Sequence, residues 1–138
     1  MNTTNKTAKT LYEVLLADIS INKYAVVCDN PQELETATRK LWDKEVKDAK
    51  TRRDVADRPA DHFSLNKRLT ILESITFASA PPADLLQADV LFATLAEFEQ
   101  APPQCDILVL TKQISVDRLE RIKRGMNEGS RVVDLTAH

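Results

Sequence analysis

The chain has 138 residues, one domain's worth, with 43% apolar and 29% charged residues, a balance that excludes a disordered or collagen-like polypeptide. Nineteen basic against 21 acidic side chains leave a net charge of −2, which excludes a uniformly basic nucleic-acid binder. Only two glycines are present, too few for either of the Gly-rich loops that cradle phosphates.

The first ten residues are polar, with Lys6 and Lys9 and no apolar stretch of the kind a secretory signal needs. They read as a disordered tail, residues 1–10, ahead of a single α/β domain, residues 11–138. Leu11, Val14 and Leu15 then predict a short helix between Leu11 and Ile19. Tyr24-Ala25-Val26-Val27-Cys28 is apolar throughout and predicts a strand. Asp29-Asn30-Pro31 ends it and opens a helix, because Pro31 suits a first turn whose N–H groups have no intrahelical partner. Leu34, Ala37, Leu41, Trp42, Val46 and Ala49 recur at spacings of three and four, so this helix should run to about Ala49.

The pattern dissolves from Lys50 to Ala60, which reads as a surface loop or a frayed extension of the helix. Ser64 can cap a second short helix with Leu65, Leu69 and Leu72 on one face, and Ile75–Ala78 reads as a strand. Pro81-Pro82 breaks it. The apolar stretch from Asp84 to Phe98 is ambiguous between one buried helix and a strand over Val90–Ala93; its length and the opening Pro-Pro favour the helix. Asp106–Thr111 is the clearest strand. A helix from Ser115 or Asp117 carries Val116, Leu119, Ile122 and Met126, Gly129 marks a turn, and Arg131–Leu135 closes the chain as a strand. Strands alternating with helices predict a three-layer α/β sandwich with about four mostly parallel strands and helical crossovers, Rossmann-like or flavodoxin-like in outline.

Charge is uneven. Residues 39–68 hold 10 basic and 6 acidic groups, whereas residues 69–111 hold six acids and no Lys or Arg. The basic run from Lys47 to Arg58 is interleaved with Asp48, Asp54 and Asp57 and contains no aromatic residue to stack a base, so it reads as a solvated helix end. Two cysteines far apart, Cys28 and Cys105, outside any C-x-x-C pair, fit a reducing, cytoplasmic compartment, and Cys28 reads as a buried structural thiol. Two histidines, His62 and His138, supply a metal site poorly, and no cofactor or metal is expected. No apolar run approaches the ~18 residues of a membrane span.

In an open parallel sheet, ligands bind beyond the carboxyl ends of the strands. The residues there include Asp29, Asn30, Thr111 and Lys112, the candidate ligand site. Asp29 with Thr111 and Lys112 resembles a fragment of the phospho-acceptor site of response-regulator receivers. That site also needs a central aspartate at the end of another strand, and Ile75 to Ser79 offers none. The segment from Asp106 to Leu135 resembles the closing βαβ unit of many nucleotide-binding α/β domains, but Cys28-Asp29-Asn30-Pro31 stands where their glycine fingerprint would be. Trp42, Arg52 and Arg53 are the candidate partner-binding residues; Trp42 neighbours Leu41 on the apolar stripe and reads as core or edge of core, and as the anchor of an interface only if exposed.

The chain lacks a nucleophile–base pair, so the expectation is a non-catalytic interaction or accessory protein that associates with itself or with a protein partner. A nucleotide- or anion-binding domain, with or without enzymatic activity, is the alternative. An accessory subunit of a nucleic-acid complex is the weaker one.

Overall fold

The computed structural model describes residues 3–17, 22–79 and 89–137. In chain order it contains α1 (Thr3–Ala17), β1 (Tyr24–Val27), α2 (Pro31–Asp54), α3 (Pro59–Ser74), β2 (Phe77–Ser79), β3 (Val90–Ala93), α4 (Leu95–Gln100), β4 (Ile107–Leu110), α5 (Val116–Lys123) and β5 (Arg131–Asp134), closed by a 3-10 turn over Leu135–Ala137. The architecture is the three-layer α/β sandwich expected, with five strands rather than four among the described residues. All pairings are parallel, in the order β2-β3-β1-β4-β5.

The alternation of side chains along each strand divides the core in two. Tyr24, Val26 and Cys28 of the β1 segment, with Val90, Phe92, Ile107 and Val109, face α1, α2 and α3. Ala25, Val27, Leu108 and Leu110 face α4 and α5 through Leu95, Phe98 and Ile122. The β1–β2 connection moves one way along the sheet on the first face, and the β3–β4 connection moves the other way on the second. Opposite directions on opposite faces give one handedness, as parallel crossovers require.

Several expectations are corrected. The tail read over residues 1–10 is helical from Thr3, and Ala8 is fully buried. The segment lies against α2, with Thr4 reaching Glu33 and Tyr12 reaching Glu45, so the two helices run parallel. Small residues such as Ala8 permit that close approach, and a polar sequence can fold there because only one stripe needs burial. Asp84–Phe98 is not one helix. Residues 80–88, including Pro81-Pro82, lie outside the described residues, but Val90–Ala93 is a central strand and a helix begins only at Leu95. Thr94 and Glu97 form a capping box there, the Thr94 hydroxyl accepting from the Glu97 N–H and the Glu97 carboxylate from the Thr94 N–H. Finally, Lys50–Ala60 is not one loop, and its first part follows the alternative reading as an extension of the helix. α2 continues to Asp54, where Arg52 and Arg53 suit the negative end of its dipole, and α3 starts at Pro59.

Trp42 lies at the centre of the first face, 4% exposed, edge-on to the Tyr12 and Phe77 rings. Its indole N–H donates to the Leu72 carbonyl at 2.8 Å. Leu72 belongs to the last turn of α3, whose carbonyls have no intrahelical donor, so Trp42 joins α2, α3 and the sheet. Arg39 donates to the Phe77 carbonyl at 2.7 Å and covers part of the β2 edge.

Candidate functional site

Two places on this framework could act. The first is the crevice between β1 and β4. β1 leads into α2 on one face and β4 into α5 on the other, so the chain diverges between these neighbours. This is the switch point at which open α/β sheets bind ligands. Thr4, Thr7, Cys28, Asp29, Asn30, Leu34 and Thr111 line a hollow of about 240 Å³ there. Of the expected residues, Asp29, Asn30 and Thr111 are thus brought together at the hollow, Lys112 joins them through Asp29 rather than lining it, and the N-terminal turn of α1 is added to them.

Their polar groups are largely engaged with one another. The Thr111 hydroxyl donates to the Val27 carbonyl at 2.6 Å, and its N–H donates to the same oxygen at 3.2 Å. Lys112 Nζ lies 2.8 Å from Asp29 Oδ1, so the one cation expected to draw an anion is neutralised by a neighbouring carboxylate. Asn30 caps the start of α2 without a side-chain hydrogen bond. Cys28 is buried, and burial first, then the Asp29 charge, pushes its thiol up to about 12. It remains a neutral thiol beside the carbonyls of Val26 and Ala93, not a nucleophile. Cys105 is also free and buried, in the core of the opposite face. Among the described residues no group of three or more His, Cys, Asp or Glu side chains could hold a metal ion.

The second place is the α2–α3 hairpin. At 24 residues α2 is about 36 Å long, whereas the four-residue strands span only about 13 Å. The helix therefore outruns the sheet. Past Ala49 no side chain is buried until Leu69. Arg53 braces the overhang, its guanidinium donating to Asn66 Oδ1 of α3 at 3.1 Å and lying 3.3 Å from Asp54. Arg52 is exposed, at a loose 3.9 Å from Glu45. Val55 and Phe63 are 70% and 72% exposed, and Ile71 is also exposed.

Of the three candidate partner-binding residues, Trp42 follows its core reading, and its partner role is overturned because it cannot reach a partner without unfolding. Arg53 is part of the hairpin's brace, and Arg52 alone is openly presented. Sequence reasoning missed Phe63, Lys67, Arg68 and Ile71. The signal was present in α3, whose apolar residues fall on two opposite sides of the helix rather than on one.

No protein-family model matches this chain, and no curated protein or solved structure matches it. Among the described residues no helix is long and apolar enough to cross a membrane.

Proposed function

We propose that this protein is a non-catalytic association module that docks a protein partner on its α2–α3 hairpin. One observation carries the reading: residues 50–68 are held largely in helix with no buried side chain, while Val55 and Phe63 stand in solvent. Ordering a backbone costs about 1–2 kcal/mol per residue. In this segment no buried core offsets that cost, whereas a partner surface would.

The occupant is another protein rather than a second copy. Four of the six acids in the basic-free stretch 69–111 are engaged within the fold. Asp89 accepts from Thr76, Glu97 closes the α4 capping box, Glu99 holds Arg118 and Arg121, and Asp106 accepts from Lys23 and Asn127. Of the described acids in this stretch only Glu73 stands exposed with no ion pair, too little charge to answer the hairpin's cations in a homodimer.

Lysine-directed cross-linking in cells that make the protein tests this. Partner peptides should be joined through Lys50 and Lys67, and Phe63→Ser should remove them. Adducts confined to Lys112, Lys9 or Lys40 would refute the hairpin as the docking surface. The crevice supports a second reading, a small-anion site, because of its place at the switch point and its 240 Å³ hollow. That reading requires a thermal shift with a nucleotide or phosphate that Lys112→Ala or Asp29→Ala abolishes. A ligand at 100 times its dissociation constant adds about 2.7 kcal/mol.

A further inference from the structure

We infer that the outer face of α3 receives an acidic amphipathic helix of the partner, an inference that rests on the hairpin being the docking surface. Phe63, Ser64, Lys67, Arg68 and Ile71 bound a shallow hollow of about 350 Å³. Phe63, Lys67 and Ile71 follow one another at intervals of four, so they form one stripe along the helix. Leu69 and Leu72 occupy the opposite, buried side. A helix apolar on two sides is ordinarily covered on both. Here one side is covered by α2 and the sheet, and among the described residues nothing covers the other.

The charge on the bare side selects the partner's chemistry. Neither Lys67 nor Arg68 forms an ion pair among the described residues. Of the acids along the hairpin, Asp61 is matched with Arg58 at 3.3 Å and Asp54 with Arg53 at 3.3 Å, and Glu73 in the last turn of α3 forms no ion pair with either cation among the described residues. The stripe therefore offers two apolar anchors with two uncompensated cations between them. Phe63 and Ile71 are about 12 Å apart along the axis, which matches apolar residues at i and i+7 on a facing helix. Carboxylates flanking those anchors would meet Lys67 and Arg68. A phosphate array, whether nucleic acid or lipid headgroups, fits less well. It would press against Asp54, Asp57 and Asp61 at the hairpin tip, and it would find only one aromatic ring in this hollow. A single helix can put its acids opposite the cations and leave the tip alone.

The probe is a fluorescein-labelled synthetic peptide of about four helical turns, with leucine at i, i+4 and i+7 positions and glutamate on the flanks. It is titrated by anisotropy against the full chain. Saturable binding is expected, weakened at least about tenfold by Phe63→Ser and by the double reversal Lys67→Glu with Arg68→Glu. A peptide with lysine in place of glutamate should bind the double reversal and not the parent. All these positions are exposed, so each variant should keep the parent's melting temperature. Equal binding by all three proteins overturns the inference, as does parental preference for the lysine peptide. Tighter, Phe63-dependent binding to phosphatidylserine vesicles or to oligothymidylate overturns it too, and assigns the face to a membrane or a nucleic acid. If cross-links map to Lys67 but the acidic peptide does not bind, the docking surface stands and its acidic chemistry falls. If cross-links map elsewhere, both fall.

Discussion

Replacing Trp42 by phenylalanine separates a core tryptophan from an interface tryptophan. Three losses follow from its surroundings. The Leu72 carbonyl loses its 2.8 Å donor inside the core, which costs about 1–2 kcal/mol for an unsatisfied buried acceptor. The smaller ring leaves a cavity of roughly 40 Å³, worth about 1 kcal/mol at ~24 cal/mol per Å³. The edge-on contacts with Tyr12 and Phe77, at 6.2 and 5.8 Å between centroids, are weakened by a further ~0.5 kcal/mol. The sum is about 3 kcal/mol, or a fall of about 10 °C in melting temperature at this chain length. Urea and thermal unfolding followed by far-ultraviolet circular dichroism would measure it. Trp42 is the only tryptophan, so the parent's own fluorescence gives an independent check. Emission should be blue-shifted and resistant to iodide until the protein unfolds. A loss below ~0.5 kcal/mol, the range of surface substitutions, would refute the packing described for α2, α3 and the sheet. Red-shifted, quenchable emission in the folded protein would do so as well.

Three further substitutions probe backbone and charge. At Gly125 an added Cβ would fall 2.8 Å from the Pro102 carbonyl oxygen, so Gly125→Ala should cost about 1–3 kcal/mol of unfolding free energy. At Gly129, φ is +78° with open space around it, so Gly129→Ala should cost about 1–2 kcal/mol from conformation alone. A neutral Gly125→Ala in urea unfolding would mean that the end of α5 does not pack on the loop at Pro102. Asp106 accepts from the Lys23 N–H at 2.8 Å and from Asn127 at 2.9 Å, and these bonds, the Lys23 one foremost, hold its carboxyl below the usual carboxylate range. A depressed acid stabilises the fold above its unfolded value, near about 3.9, and loses that contribution as pH falls through the lower folded value. Asp106→Asn should therefore be less stable by about 1–2 kcal/mol at neutral pH and converge with the parent in acid, as read from urea midpoints across the acid range. Parallel curves down to the lowest pH would contradict this account.

Much of the fold was legible because its signals are local. The strands over Tyr24–Val27, Ile107–Leu110 and Arg131–Asp134 appear within a residue or two of where apolar runs predicted them. Pro31 opened α2 for a reason internal to one turn. The misreading of Asp84–Phe98 had a local remedy, since Thr94-Leu95-Ala96-Glu97 spells a capping box and places the helix start at Leu95. The hairpin was missed because Pro59 was taken as loop punctuation, although with Asp61 it also makes a good first helical turn.

The sequence by itself determined the class of architecture, the identity of the strand-end residues Asp29, Asn30, Thr111 and Lys112, and the buried state of Cys28. Periodicity, punctuation and apolar content act between residues close along the chain, and these properties depend on little else. Tertiary structure alone decided the strand order, and with it that β1 and β4 are neighbours 83 residues apart at the Asp29–Lys112 contact. It also decided which side of each amphipathic helix was covered. Trp42 and Phe63 are both large aromatic residues on apolar stripes of helices, and no local rule says which stripe is covered. One lies where α2 crosses the sheet and the other where the hairpin has run past it, because a 24-residue helix is longer than the strands it packs on.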